Sequence, residues 1–598
     1  MRPVLTTLSA LMLAAAVAQA AEPPSVDPTV AAAIENFQPL WSPPKGQLSG
    51  WIVGIDPAET HLAPPAGRLC DDLSLITAAH LYHFVRRADG WPVLTRRDDT
   101  HVGDADRAGL LADAGCGLCV SIRYAEVGGK VSTRRGSPNA HPQDAALAGE
   151  LSAALHFQLA QPDPAATNSG LIEALGQVGG AGGIPFCEVC FGCPPGTSTI
   201  EPGLRKVCLD NARRLYEGIG RACTQLQRPA ASDKPVPDPL SSSSGSRLER
   251  VARSIWPDGR LPNERIDWFC REFAEQSITN HSLVCFEVSA QLEQDVVILR
   301  GRSNAPLVAA GLAKTLRVVG LAQVDNRVRT LPDRQSLGED LFGVCRAPMA
   351  VTYDGRQRGA RPQTQLLFGE PLFLLDREEE SYLLHAGDGY WGWVHRDAVQ
   401  PMTAERFDAY LRHPRGTVLK DIESERVRIP RGSNVRVVRT TEDEHVILLP
   451  DGSTLTVPAA TVTVCDPEGW QAGARAHAAL DLLYTPYVFG GRSPLGLDCS
   501  GLVSNVWSRL GVTPPRDARQ QAPGGRLVAT HWHRTNIQPG DQLFLINESG
   551  KIYHTGIVLD AAHVIHATAP CVQIGSFDPQ DPLYDPELDR NFFMVKRP

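Results

Sequence analysis

The stretch "GLDCSGLV", Gly496 to Val503, decides how the last quarter of this 598-residue chain is read. Apolar residues follow Cys499 at positions 502, 503, 506, 507 and 510, and Gly511 comes next. Those offsets belong to one face of a helix with a glycine stop, so Cys499 is expected in the first turn of an amphipathic helix. There, the helix dipole and unpaired backbone N–H groups favour a thiolate. Three readings stay open for the residue in isolation: a small buried thiol, half of a disulfide, or a nucleophile.

The surroundings favour the third. Downstream, "QPGDQLFLI" reads as a turn and strand, "YHTGIVLD" as a strand beginning near His554, and "HVIHAT" as a strand carrying His566. A thiol nucleophile needs a base, and the base needs an orienting partner on its other ring nitrogen. The two histidines are twelve residues apart, so they share a sheet face only if the hairpin loop is odd in length. A three-residue loop, Asp560 to Ala562, makes them diagonal neighbours roughly 7 Å apart along the backbone. A two-residue loop puts them on opposite faces. His531, His533 and His563 are expected on the surface or in loops.

The ordered segments "TPYVFGG", "LDCSGLVSNVW", "TPPRDARQQ", "QPGDQLFL", "YHTGIVL" and "VIHAT" resemble the NlpC/P60 family of cell-wall cysteine peptidases across 466–598. The resemblance implies a papain-like α+β domain with Cys499 as nucleophile, His554 as general base and His566 as orienter. It also implies that Tyr487 and the Cys499 backbone N–H hold the tetrahedral oxyanion; the alternative for Tyr487 is a core aromatic. Asp498 and Ser500 would contact substrate, or cap the helix, or do both. Family members mostly cleave the γ-D-glutamyl to diamino-acid bond of peptidoglycan stem peptides. In one subfamily an SH3-like module caps the cleft, and an aspartate of the "PRD" segment holds a free L-alanine amine. Here Asp517 falls at that position, with Glu370 and Tyr390 as matches from the module; ordinary strand residues are the other reading of the latter two. The chemistry needs no cofactor and no metal.

Composition sets the frame. The net charge of -9, from 58 basic and 67 acidic residues, leaves no electrostatic footprint for nucleic acid. The opening "MRPVLTTLSALMLAAAVAQA", residues 1–20, has the basic start, short apolar core and small-residue cut site of a secretory signal. No other run is long and apolar enough to span a bilayer. A secreted or periplasmic protein is expected, in which most of the fourteen cysteines are read first as disulfides.

Length suggests roughly three to five folded units. The Pro/Ser-rich stretch 228–247 reads as a linker. Before it, 49–227 alternates strand-like and helix-like runs, an α/β pattern. "GWIVGIDPAETH", "DLSLITAAHLYHFV", "CVSIRYAE" and "GGIPFCEVCFG" resemble the zinc-dependent N-acetylmuramoyl-L-alanine amidases. The zinc-ligand positions of that family fall on Glu59, Cys70 and Arg123, whereas its catalytic glutamate survives as Glu188. A guanidinium offers no lone pair to zinc, so the resemblance implies a kept fold and a lost metal centre, with a binding or positioning role. Cys116, Cys119, Cys187, Cys190 and Cys193 crowd this domain and are expected as disulfides. After the linker, 248–340 is an α+β module resembling a BON domain. Residues 341–403 and 404–465 resemble two SH3-like β-barrels. The whole reads as a multidomain α/β and α+β enzyme acting on muropeptides. Two alternatives are a bifunctional wall hydrolase with an active metal-dependent amidase domain and a catalytically silent wall-binding scaffold.

Overall fold

The computed structural model describes residues 26–58, 66–96, 103–114, 116–125, 129–133, 143–160, 184–193, 200–226, 263–293, 296–318, 323–357, 360–464 and 472–598. The signal segment 1–20, the linker 228–247 and Glu59 lie outside the described residues.

The first unit is a mixed sheet between helices. Its strands are β1 (Ile52–Pro57), β2 (Trp91–Leu94), β3 (Leu118–Ala125), β4 (Lys130–Thr133), β5 (Gln158–Ala160) and β6 (Phe186–Gly192), in the order β2-β1-β3-β6-β4-β5. β1, β2, β3 and β6 run parallel, and β4 returns antiparallel to β6. Five of the six residues of β1 and six of the eight of β3 are buried, as expected of parallel strands covered on both faces. Helices α1 (Ala66–Arg87) and α2 (Pro202–Gln225) pack against each other, and Leu73, Leu81, Leu215 and Ile219 enter the common core.

The cysteine expectation holds for Cys193 and is corrected for the other four. Among the described residues one disulfide joins Cys70 to Cys193, and Cys116, Cys119, Cys187 and Cys190 remain thiols. The reason is the pleat. Cys116 and Cys119 pack with Leu111 and Phe186, whereas Cys187 belongs to the main core with Val120 and Val189. Side chains alternate across a strand, so Cys187 and Cys190 point to opposite faces. Cys190 pairs in register with Arg123, four residues beyond Cys119, or about 13 Å along the strand.

The expected strand, helix and strand after the linker are Val296–Ser303, Pro306–Val318 and Gln323–Asn326, in a four-stranded sheet. Phe342–Met402 forms a seven-stranded sheet, and Arg415–Val464 a five-stranded one with a separate two-stranded ribbon. Gly369 joins the two: its φ is +78°, and a Cβ there would lie 1.7 Å from the Asn434 carbonyl oxygen. Only glycine fits that turn. Among the described residues no helix is long and apolar enough to cross a membrane.

The C-terminal unit sets helix α3 (Cys499–Ser508) against a six-stranded sheet. Its strands are β7 (Arg526–Thr530), β8 (Gln542–Ile546), β9 (Ile552–Val558), β10 (His563–Thr568), β11 (Cys571–Ser576) and β12 (Phe592–Arg597), ordered β7-β12-β8-β9-β10-β11. Leu502, Val503 and Val506 of α3 bury against Ile557 and Ile565. Each such side chain contributes about 2 kcal/mol. A short helix far upstream, Pro28–Asn36, places Val30 in the same core, an attachment that no local pattern in the sequence signals.

Candidate active site

Cys499 is the first residue of α3, and Asp498 is its N-cap, accepting the Gly501 N–H at 2.8 Å. Gly501 has a steric cause: a Cβ there would lie 2.0 Å from the Gly491 carbonyl oxygen. Helix α3 packs on β9, and the backbone amides of Thr555 and Ser500 both lie against the Cys499 sulfur. The thiol therefore faces β9 at Thr555, the residue that follows His554. It carries no disulfide and keeps partial exposure.

The hairpin has the odd loop. Ile557 pairs with Ile565, and the Leu559 N–H reaches the His563 carbonyl, leaving Asp560 to Ala562 as the turn. His554 and His566 thus share a face as diagonal neighbours, with ring centroids 5.1 Å apart, edge to face. His554 Nε2 lies 2.9 Å from His566 Nδ1. With the proton of that bond on His554 Nε2, its Nδ1 is left basic, as a proton acceptor requires. His566 Nε2 is buried and has no hydrogen-bond partner among the described residues.

The electrostatics differ from the expectation of a ready thiolate. Burial, followed by the Asp498 carboxylate, pushes the Cys499 thiol up to about 12, and the Thr555 and Ser500 amides and Arg516 oppose this only in part. Burial and the neighbouring His566 hold His554 down to about 3, and burial holds His566 to about 4. Both groups rest neutral, Cys499 as a thiol and His554 as an imidazole. The helix dipole is outweighed by desolvation.

Tyr487 stands beside the reactive centre. Burial, Asp498 and Cys499 all push its phenol pKa up, so it keeps its proton as a hydrogen-bond donor. Asp498 and Ser500 are both buried, held by Arg516, a residue that the sequence alone does not single out. The Arg516 Nη1 donates to Asp498 Oδ1 at 3.0 Å and to Ser500 Oγ at 2.9 Å, and its Nη2 pairs with Asp498 Oδ2. Gly490 N–H completes the carboxylate at 2.9 Å. Asp498 is thus fully engaged within the protein. The signal for Arg516 was its place beside Asp517 in "PPRD".

Asp517 and Tyr390, 127 positions apart in sequence, come near enough that burial and the Asp517 charge push the Tyr390 phenol pKa up, while the Asp517 carboxylate accepts from Arg519 Nη2 at 3.3 Å. Glu370 is placed elsewhere. It is buried and accepts from Arg492 Nη1 at 2.8 Å and from the Leu367 N–H at 3.1 Å. Asp388, not singled out from sequence, accepts from Thr364 Oγ1 at 2.7 Å and pairs with Arg492 at 3.2 Å. His531 and His533 are exposed as expected, but His563 is buried between Asp560 and Asp581, at 2.9 Å from each. These carboxylates outweigh burial and raise its pKa.

In the first unit the residues do not suit zinc. Arg123 Nη2 pairs with Glu188 Oε1 at 3.0 Å, and Cys70 is spent in its disulfide. No group of three or more metal-ligating side chains occurs among the described residues.

The family described as NlpC/P60 matches residues 484–588. A probable endopeptidase of Mycobacterium tuberculosis is 32% identical over 122 residues, covering 20% of this chain and 30% of that protein. The chain thus spans about a third of the length of that relative. A gamma-D-glutamyl-L-lysine dipeptidyl-peptidase of Bacillus subtilis is 23% identical over 239 residues, 38% of this chain and 79% of that one. A solved NlpC/P60 family protein from Bacillus cereus is 17% identical, with a TM-score of 0.38 over 43% of this chain and 99% of that one. Cys499, His554 and His566 all lie inside the segment that matches the NlpC/P60 family.

Proposed function

We propose that the protein is a cysteine endopeptidase that hydrolyses the γ-D-glutamyl to diamino-acid bond of peptidoglycan stem peptides outside the cytoplasm. The observation that carries this reading is the alignment of Cys499, His554 and His566 on α3 and two adjacent strands, inside the segment matched by the family.

In this mechanism His554 takes the Cys499 proton as the sulfur attacks the γ-carbonyl. Because both groups rest neutral, the proton moves during attack and not before it. Tyr487 and the Cys499 backbone N–H stabilise the oxyanion. The tetrahedral species expels the diamino-acid amine, which takes the proton from His554. Water, deprotonated by His554, then cleaves the thioester and releases the γ-glutamyl carboxylate. His566 keeps the His554 ring turned toward the sulfur. Asp498, Ser500 and Arg516 act as positioning residues that fix the start of α3.

Asp517 and Tyr390 bind the free L-alanine amine of the substrate, a carboxylate and a phenol facing an ammonium group. Glu370 supports that wall through Arg492. The two sheets between Phe342 and Val464 are SH3-like modules, the first of which closes this end of the cleft. The first unit is an amidase-like domain that has lost its metal site. Mass spectrometry of defined stem peptides, with Cys499→Ala as control, tests the reading. Cleavage after γ-D-glutamate is expected for peptides with a free amine and should disappear on N-acetylation. Turnover by the Cys499→Ala protein would refute it.

A further inference from the structure

The first unit reaches the reactive centre through one face of α1. His80, His83 and Arg87 follow one another at spacings of three and four residues, so they share that face. The buried His80 ring lies against the backbone of Tyr484 and Pro570. His83 Nε2 hydrogen-bonds the Tyr487 carbonyl, and the Arg87 guanidinium donates to the Ala569 carbonyl. A carbonyl only accepts, so the His83 proton is on Nε2. Burial holds the His83 pKa down to about 4, which leaves a neutral ring at this contact.

His83 touches Tyr487 a second time. Its ring stands edge to face on the Tyr487 ring, with centroids 5.7 Å apart and planes at 69°, the T-shaped arrangement favoured between aromatic rings. One side chain of the first unit therefore holds both the backbone and the phenol ring of Tyr487. The other bonds of this segment come from the C-terminal unit itself. The Tyr487 N–H donates to the Pro570 carbonyl at 2.9 Å, the Leu497 N–H to the Pro486 carbonyl at 2.9 Å, and the Val488 N–H to the Leu497 carbonyl at 3.0 Å. Leu497 leads into Asp498 and Cys499, and Pro570 lies in the turn after β10, the strand of His566. Tyr487 is thus fixed between the start of α3, the turn after β10 and α1.

We propose that His83 is a positioning residue for the reaction at Cys499, holding the Tyr487 phenol where the oxyanion forms. The proposal rests on the peptidase reading for the role of Tyr487. A domain without metal chemistry then completes the catalytic site of another domain.

A double-mutant cycle on the full-length protein tests this, with acylation of Cys499 by p-nitrophenyl acetate as the readout. In that step the acetyl group passes to the sulfur and p-nitrophenolate leaves, so an oxyanion forms without any need for peptide recognition. Tyr487→Phe should slow acylation about 100-fold, and His83→Ala about tenfold. In the Tyr487→Phe background, His83→Ala should change the rate by less than about twofold. His83→Gln, which keeps an N–H donor, and His83→Phe, which keeps a ring edge, should each recover part of the loss. A loosened contact between the two units would slow both backgrounds alike, so losses that multiply in the cycle would overturn the proposal, as would an unchanged rate in His83→Ala. Turnover of L-Ala-γ-D-Glu-L-Lys, followed in parallel, should show the His83→Ala loss in kcat with KM changed less than about twofold. A coupled cycle on the ester with no cleavage of the peptide by the unsubstituted protein defeats the peptidase reading alone. Cleavage of the peptide with an uncoupled cycle defeats the role of His83 alone, and no acylation of Cys499 by either compound defeats both.

Discussion

Arg123 Nη2 lies 3.0 Å from Glu188 Oε1 where β3 and β6 run side by side, so a fixed cation meets the carboxylate that an amidase-like site would use in catalysis. The expected consequence is indifference to metal: chelators should leave both peptide turnover and the melting temperature unchanged. Arg123→Met leaves the buried Glu188 charge without this partner and should cost about 3 kcal/mol, read as a lower denaturation midpoint.

Cys499 should alkylate as a high-pKa thiol. With its pKa near 12 and His554 near 3, the thiolate fraction at neutral pH is small. The iodoacetamide rate at Cys499 should therefore rise about tenfold per pH step from 7 to 10. A rate that is flat from pH 5 to 9 would instead indicate a preformed thiolate and imidazolium.

Arg516 holds two buried carboxylates, Asp498 by hydrogen bonds and Asp388 at 3.7 Å. Arg516→Met should destabilise the protein by about 3 to 5 kcal/mol. Arg516→Lys should recover part of the stability but little of kcat, since an ammonium cannot reproduce the forked contact with Asp498 and Ser500. Chemical denaturation and steady-state kinetics on the same variants check both statements.

Acid should loosen the structure before it protonates most carboxylates. His80, His83, His554 and His566 are held to about 3, 4, 3 and 4 in the fold, against 6.5 for an exposed ring. Between these values the unfolded chain binds more protons, so stability falls as pH drops through about 6.5 and continues to fall toward 4. The melting temperature should decline steadily from pH 7 to pH 4.5, and His80→Phe should flatten that slope.

Local periodicity and spacing carried the centre of the site. The apolar offsets after Cys499 located α3, and the parity of the Asp560–Ala562 loop put His554 and His566 on one face. Properties set by long-range packing were not legible. The acidity of Cys499 depends on how much protein covers it, which no nearby residue announces. Glu370 lay next to a plausible motif but turns to Arg492, 122 positions away, and Arg516 gained its role only once Asp498 and Asp388 converged on it. The cysteines misled because their spacing suggested bridges that the alternation of β6 separates onto opposite faces. His563 looked like a loop residue, and its burial depends on Asp581, which only the folded chain brings near.

Covalent trapping addresses the central claim most directly. Acid quenching during turnover of L-Ala-γ-D-Glu-L-Lys, followed by peptide mapping, should find the L-Ala-γ-D-glutamyl group as a thioester on Cys499. His554→Ala should show neither the adduct nor product. An acyl group on any other residue, or product formed at the normal rate by the His554→Ala protein, would contradict the account.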